Sequence, residues 1–93
     1  MFKIVATSRF KKDLKKIKSN KSDYDLVVKV LKLLKKEGVL GIPKEMRPHR
    51  LHGRYKDNWE CHIKPDLLII WIQIDADNVI SLVRVGSHSK LFR

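Results

Sequence analysis

The stretch from Leu67 to Ile74 reads Leu-Leu-Ile-Ile-Trp-Ile-Gln-Ile, apolar at every position but Gln73. It falls far short of the roughly 20 residues a membrane helix requires. Turn-forming residues bound it on both sides, Lys64-Pro65 before and Asp75 to Asn78 after. A short, continuously apolar run with such limits predicts a central β-strand covered on both faces. A strand of that kind dictates the rest of the fold, because it needs neighbours in its sheet and a layer packed over it.

The neighbours flank it directly. From Asn58 to Ile63 the chain alternates, with Trp59, Cys61 and Ile63 facing one way and Glu60 and His62 the other. Val79 to Val85 forms a third apolar run, ended by Gly86. Three sequential strands joined by tight turns make an antiparallel meander. Phe2 to Val5 has the composition of an edge strand.

The covering layer comes from the first half. Thr7 and Ser8 offer helix N-caps, and Phe10, Leu14 and Ile17 follow on one helical face. Lys11, Lys12, Lys15, Lys16 and Lys18 occupy most of the remainder, and Ser19-Asn20 breaks the helix. Ser22, with Asp25 three residues on, reads as a weak capping box opening a second helix. Leu26, Val27, Val30, Leu31, Leu33 and Leu34 give it a wide apolar stripe, and Gly38 is its expected stop. The expected class is α+β, two N-terminal helices packed as a hairpin on an antiparallel β-sheet. Residues 1–93 are expected to make one domain, since a chain this short has room for a single modest core. Val39 to Arg54, punctuated by Gly41, Pro43, Pro48 and Gly53, reads as an irregular loop.

Chemistry-bearing residues gather at the ends of the apolar runs. They are His49 in the loop, His62 and Asp66 about the first turn, Arg84 on the third strand and His88 just beyond it. The chain has 21 Lys and Arg against 10 Asp and Glu, a formal charge of +11. So cationic a surface suits a partner rich in phosphates or carboxylates. The lone Cys61 excludes an intramolecular disulfide and a cysteine-built zinc site. Charge follows directly on Met1-Phe2-Lys3-Ile4-Val5, unlike a signal peptide, and no run is long enough for a membrane span. A cytoplasmic protein is expected.

These residue types suit metal-free RNA cleavage. That reaction needs a base for the ribose 2′-hydroxyl, an acid for the departing 5′-oxygen, and positive charge on the phosphorane between them. Histidine titrates near working pH and fills the first two roles. Arginine matches phosphate oxygens and stays charged. Asp66 has the chemistry of a base or of a group that orients a histidine. Each residue also has a plainer reading. Asp66 beside Pro65 fits turn chemistry. Arg84 could pair with Glu60 across the sheet. Phe92 could plug the end of the core. The lysine-rich helices could be a solvated face. A zinc site from His49, His52 and His62 lacks a recognised ligand spacing.

Three blocks carry a family resemblance. They are His49-Arg50-Leu51-His52-Gly53-Arg54-Tyr55-Lys56, Glu60-Cys61-His62-Ile63-Lys64-Pro65-Asp66 running on to Trp71, and Leu82-Val83-Arg84-Val85-Gly86-Ser87-His88-Ser89-Lys90-Leu91-Phe92. Together they resemble the YafQ branch of the RelE/ParE toxin superfamily, in motif over about half the chain and in architecture over all of it. The resemblance implies a toxin encoded beside an antitoxin. It implies a ribosome-dependent mRNA endoribonuclease (an mRNA interferase) that enters the A site, blocks translation and uses neither metal nor cofactor. It implies a catalytic set of His49, His62, Asp66 and His88. Phe92 would stack on or position a base, Arg84 would hold the scissile phosphate, and Arg54 and Lys56 would touch backbone phosphates. The implied partner is an acidic, partly disordered antitoxin segment that folds on contact. Pro48 stands where an acidic residue is common, which bears on how His49 is oriented, and Arg93 extends past the usual terminal Phe with a tail expected to be less tightly fixed.

Two other functions fit the same scaffold. A gyrase-poisoning toxin like the ParE branch would need no acid–base group, which the histidine set argues against. A non-catalytic basic RNA-binding module would suit the charge, but the aromatic residues do not form an open stacking platform.

Overall fold

In a computed structural model, which describes residues 1–92, the chain forms a five-stranded sheet with two helices across one face and a short helix on the other. The elements are β1 (Lys3–Ala6), α1 (Ser8–Ile17), α2 (Lys21–Glu37), β2 (His49–Arg50), β3 (Trp59–Lys64), β4 (Leu67–Ile74), β5 (Val79–Gly86) and α3 (His88–Leu91). The strand order is β1-β5-β4-β3-β2. The meander is as expected, β3, β4 and β5 pairing antiparallel. The edge strand departs from an all-antiparallel sheet, because β1 lies parallel to β5, with Lys3 opposite Val79 and Ala6 opposite Leu82. Arg93 and its expected loosening of the tail lie outside the described residues.

Local chemistry accounts for the helices. Thr7 caps α1, its hydroxyl accepting the Phe10 N–H at 3.2 Å and donating to the Leu82 carbonyl at 2.8 Å. One residue thus starts the helix and ties it to β5. The second helix starts one residue earlier than its expected opening at Ser22. Its cap is Asn20, which accepts the Asp23 N–H at 3.2 Å, while the Ser22 hydroxyl only donates to the Asn20 side chain. The residue read as a breaker is therefore also a starter. Gly38 ends α2 at φ +64°, and a Cβ there would stand 2.7 Å from the Gln73 amide and 2.8 Å from the Phe2 ring. Only glycine fits this approach of helix to sheet.

Phe10, Val27, Val30 and Leu34 from the helices meet Cys61, Ile63, Ile69, Trp71, Ile80, Leu82 and Val85 of the sheet in the main core. A smaller cluster on the opposite face joins Leu68, Ile70 and Leu91, with Leu51, Tyr55, Val83 and Phe92 packed around it. The central strand is covered on both faces only from Leu67 to Trp71; beyond that Ile72 and Ile74 are exposed. The two layers diverge because α3 spans only the end of the sheet near Gly86.

The loop read between Val39 and Arg54 is more regular than its prolines and glycines suggested. It contains short 3₁₀ turns at Gly38–Gly41, Lys44–Met46 and Gly53–Tyr55, and the two-residue strand β2. A strand that short carries no periodic signal; the free edge of β3 supplies its pairing. No helix among the described residues is long and apolar enough to cross a membrane.

Candidate active site

The sheet register gathers the site. Residues opposite one another on paired strands share a face. One row across the sheet runs His49, Glu60, Ile70, Arg84, and the next runs His62, Leu68, Gly86. Ile70 and Leu68 face away from α1 and α2, under α3, so all of these side chains stand on that same face. His62 and Gly86 are two strand spacings apart, about 10 Å at roughly 4.8 Å per strand. His88 follows two residues later as the first residue of α3, a helix the periodicity did not predict.

Arg84 reaches this face through a β-bulge. Ile70 pairs with Arg84 and Trp71 with Leu82, so Val83 is the extra residue. Strict alternation from Ile80 and Leu82 would have sent Arg84 into the helix-side core; the bulge turns it outward. Its Nε donates to Asp13 Oδ2 at 2.7 Å and its Nη2 to Asp13 Oδ1 at 3.2 Å. Asp13 Oδ2 also accepts the Val85 N–H at 3.1 Å, serving the part of the β5 edge that β1 is too short to cover. The carboxylate raises the Arg84 pKa above its ordinary value, first by hydrogen bonding, against an opposing effect of burial, with a smaller contribution from Tyr55. Arg84 does not pair with Glu60, the plainer reading of its place in the strand.

Glu60 is instead shared by the two histidines. Its side chain is 5% exposed, and Oε1 lies 3.2 Å from His49 Nε2 and 3.7 Å from His62 Nε2. Oε2 is enclosed with no hydrogen-bond partner among the described residues. The rings of His49 and His62 lie 6.4 Å apart, tilted 25° from parallel. His49 Nδ1 sits 2.7 Å from the Arg47 carbonyl, so oxygen atoms face both its nitrogens and fix the ring's orientation. Arg47 adopts a left-handed conformation at φ 50°, which presents that carbonyl just before Pro48. The ring is thus oriented from the backbone on one side and by Glu60 on the other. Sequence reasoning left Glu60 out of the site, although its shared face with His62 was the available signal.

Asp66 is exposed in the β3–β4 turn and approaches His88 through the backbone: its Oδ1 accepts the His88 N–H at 3.0 Å. The His88 ring is exposed and packs on Phe92, with centroids 4.9 Å apart. Phe92 also meets the Tyr55 ring edge-on at 5.6 Å. Arg54 and Lys56 are exposed at the Gly53–Tyr55 turn, Arg54 lying 6.0 Å over the Tyr55 ring. Among the described residues, no group of three or more His, Cys, Asp or Glu side chains is placed to hold a metal ion.

A cavity of about 390 Å³ between α1, β5 and α3 is lined by Arg9, Lys12, Lys16, Arg54, Arg84 and Lys90 around the single carboxylate of Asp13. A second, of about 470 Å³, opens beside His62 and is edged by Arg47, Lys64 and Glu45 among apolar residues. The first is the strongly cationic one.

Known proteins share this architecture. A curated relative, the mRNA interferase toxin YafQ of Escherichia coli K12, is 27% identical over 86 residues, covering 92% of this chain and 90% of its own. A metal-bound toxin from Helicobacter pylori is 40% identical, with a TM-score of 0.85 over 99% of this chain and 100% of its own. YafQ in the E. coli DinJ–YafQ complex is 25% identical, with a TM-score of 0.85 over the whole of both chains. The family model for YafQ, a bacterial toxin of type II toxin–antitoxin systems, matches residues 2–93. The chain therefore belongs to the YafQ family of type II toxin–antitoxin toxins.

Proposed function

We propose that this chain is an mRNA endoribonuclease that cleaves ribosome-bound messenger in the A site by metal-independent acid–base catalysis. The observation that carries the reading is the placement of His49, His62, Arg84 and α3 with His88 on one face of the sheet. His62, the more weakly held of the two imidazoles at Glu60, takes the proton from the ribose 2′-hydroxyl. The oxygen attacks phosphorus, and the bond to the 5′-oxygen breaks. His88, exposed at the start of α3, protonates that oxygen as it leaves. The products are a 2′,3′-cyclic phosphate and a 5′-hydroxyl.

His49, held at both ring nitrogens and lying beside His62, supports and orients the catalytic pair. Asp66 fixes the backbone of His88. Phe92, packed on His88, offers a face for a base. Arg84 stabilises the phosphorane, and Arg54 and Lys56 hold flanking phosphates. The cation-lined cavity beside α1 extends this surface for the RNA backbone. In a cell the partner is a cognate antitoxin whose acidic, partly disordered segment suits the +11 surface, and the site of action is the cytoplasm. The DinJ–YafQ complex of E. coli supports the antitoxin assignment.

The test is cleavage of a reporter message on purified ribosomes, read by primer extension and by the chemistry of the new 3′ end. A cyclic phosphate with wild type and an intact transcript with a folded His88→Ala variant are expected. Equal cleavage by the variant removes His88 from the mechanism. DNA damage with intact message would move the protein to the gyrase-poisoning class.

A further inference from the structure

The helix that begins at His88 and ends just before Phe92 has four residues. That is too short to persist by its own hydrogen bonds, so its placement depends on what holds it from outside. Asp66 holds its first N–H. The buried Leu91 side chain anchors its last residue. Its last turn is held by Tyr55, whose hydroxyl donates to the Leu91 carbonyl at 3.2 Å. That carbonyl is among those a helix end leaves without an internal partner.

Tyr55 and Arg84 also border one cavity, with Thr7, Arg9, Arg54 and Val83. Arg84 itself is gripped by both oxygens of Asp13 on α1. The Tyr55 ring then meets the edge of Phe92, and Phe92 lies against His88.

We infer that Tyr55 is a positioning residue: its hydroxyl, bound to the Leu91 carbonyl, latches α3 and so fixes His88 and Phe92 over the substrate. The kinetic part of this role rests on the ribonuclease reading above, while the latch itself does not. The structure makes Tyr55→Phe the informative variant, because it keeps the ring against Phe92 and removes only the hydrogen bond to the Leu91 carbonyl.

Two measurements test it. On ribosome-bound message, Tyr55→Phe is expected to lower kcat about tenfold with KM within about twofold, the pattern of a misplaced reacting group. In the free protein, NMR should show the His88 ring and the Leu91 and Phe92 amides shifted in Tyr55→Phe, with His49 and His62 unmoved. Unchanged His88 and Leu91 signals overturn the latch. If wild type cleaves no RNA yet Tyr55→Phe shifts His88, the latch stands and the ribonuclease reading fails.

Discussion

The Asp66 carboxylate and the backbone N–H of His88, 22 positions apart, are joined by a 3.0 Å hydrogen bond that closes the β3–β4 turn onto α3. An asparagine side chain keeps an acceptor oxygen at this place, and alanine does not. Asp66→Asn is therefore expected to fold with α3 in position and to keep most of its cleavage activity. Asp66→Ala should lose about 1 kcal/mol, the usual cost of a missing helix cap, and should cleave more slowly. Urea unfolding and cleavage assays on both variants check this; an inactive but well-folded Asp66→Asn would make the carboxylate itself the base.

Glu60 binds two imidazoles through one buried oxygen. Glu60→Gln preserves its volume and removes its charge. The expected result is a drop of at least tenfold in cleavage, with displaced His49 and His62 signals in NMR spectra of a folded protein. Wild-type activity in that variant would leave the carboxylate a purely structural role. The tenfold figure sits at the lower edge of what acid–base groups typically contribute, about 100- to 10,000-fold.

Asp13 is the partner of a cation that is only 8% exposed. Asp13→Ala strands the Arg84 charge and the Val85 N–H together. A loss of about 3–5 kcal/mol is expected, as for other buried pairs broken on one side. Replacing both partners by apolar residues should cost less than Asp13→Ala alone. Denaturant melts of the single and double variants decide it.

Cys61 lies at the centre of the main core, and burial, helped by the charge of Glu60, pushes its thiol from 9.0 up to about 12. In the unfolded chain the thiol ionises near pH 9, while in the folded protein it stays neutral to about pH 12. Its contribution to stability is therefore complete below pH 9 and is lost as pH rises toward 12. At pH 10.5 the loss reaches about 2 kcal/mol. The slope of unfolding free energy between pH 8 and 10.5 should be steeper in wild type than in Cys61→Ala. Iodoacetamide should leave the native thiol unmodified at pH 8.

The meander and both helices were legible because each carries a strong local period. Leu67 to Trp71 is apolar without interruption, and Phe10, Leu14 and Ile17 mark one helical face. What escaped was non-local. No local pattern shows that β1 pairs parallel with β5, since a four-residue edge strand looks the same in either direction. The β-bulge at Val83 reverses the facing of Arg84, and only the register with β4 reveals it. The site was partly legible because β3 alternation put Glu60 and His62 together, but His49 joined them through a two-residue strand with no periodic signature. Asp13 and Tyr55 were missed for a similar reason. Both look like ordinary surface residues until the fold brings α1 and the Gly53–Tyr55 turn to opposite sides of Arg84.

The parallel edge strand also sets an order of assembly. Thr7 binds the Leu82 carbonyl across 75 positions, so β1 and the start of α1 have nothing to dock on until β5 exists. Contacts this remote close slowly, after local helices and hairpins have formed. During synthesis β1 waits unpaired until β5 has been made, and Arg84 and His88 come with or after that partner. On the proposed mechanism, a nascent chain without β5 has neither its edge strand docked nor its full catalytic set, so fold and activity arrive together.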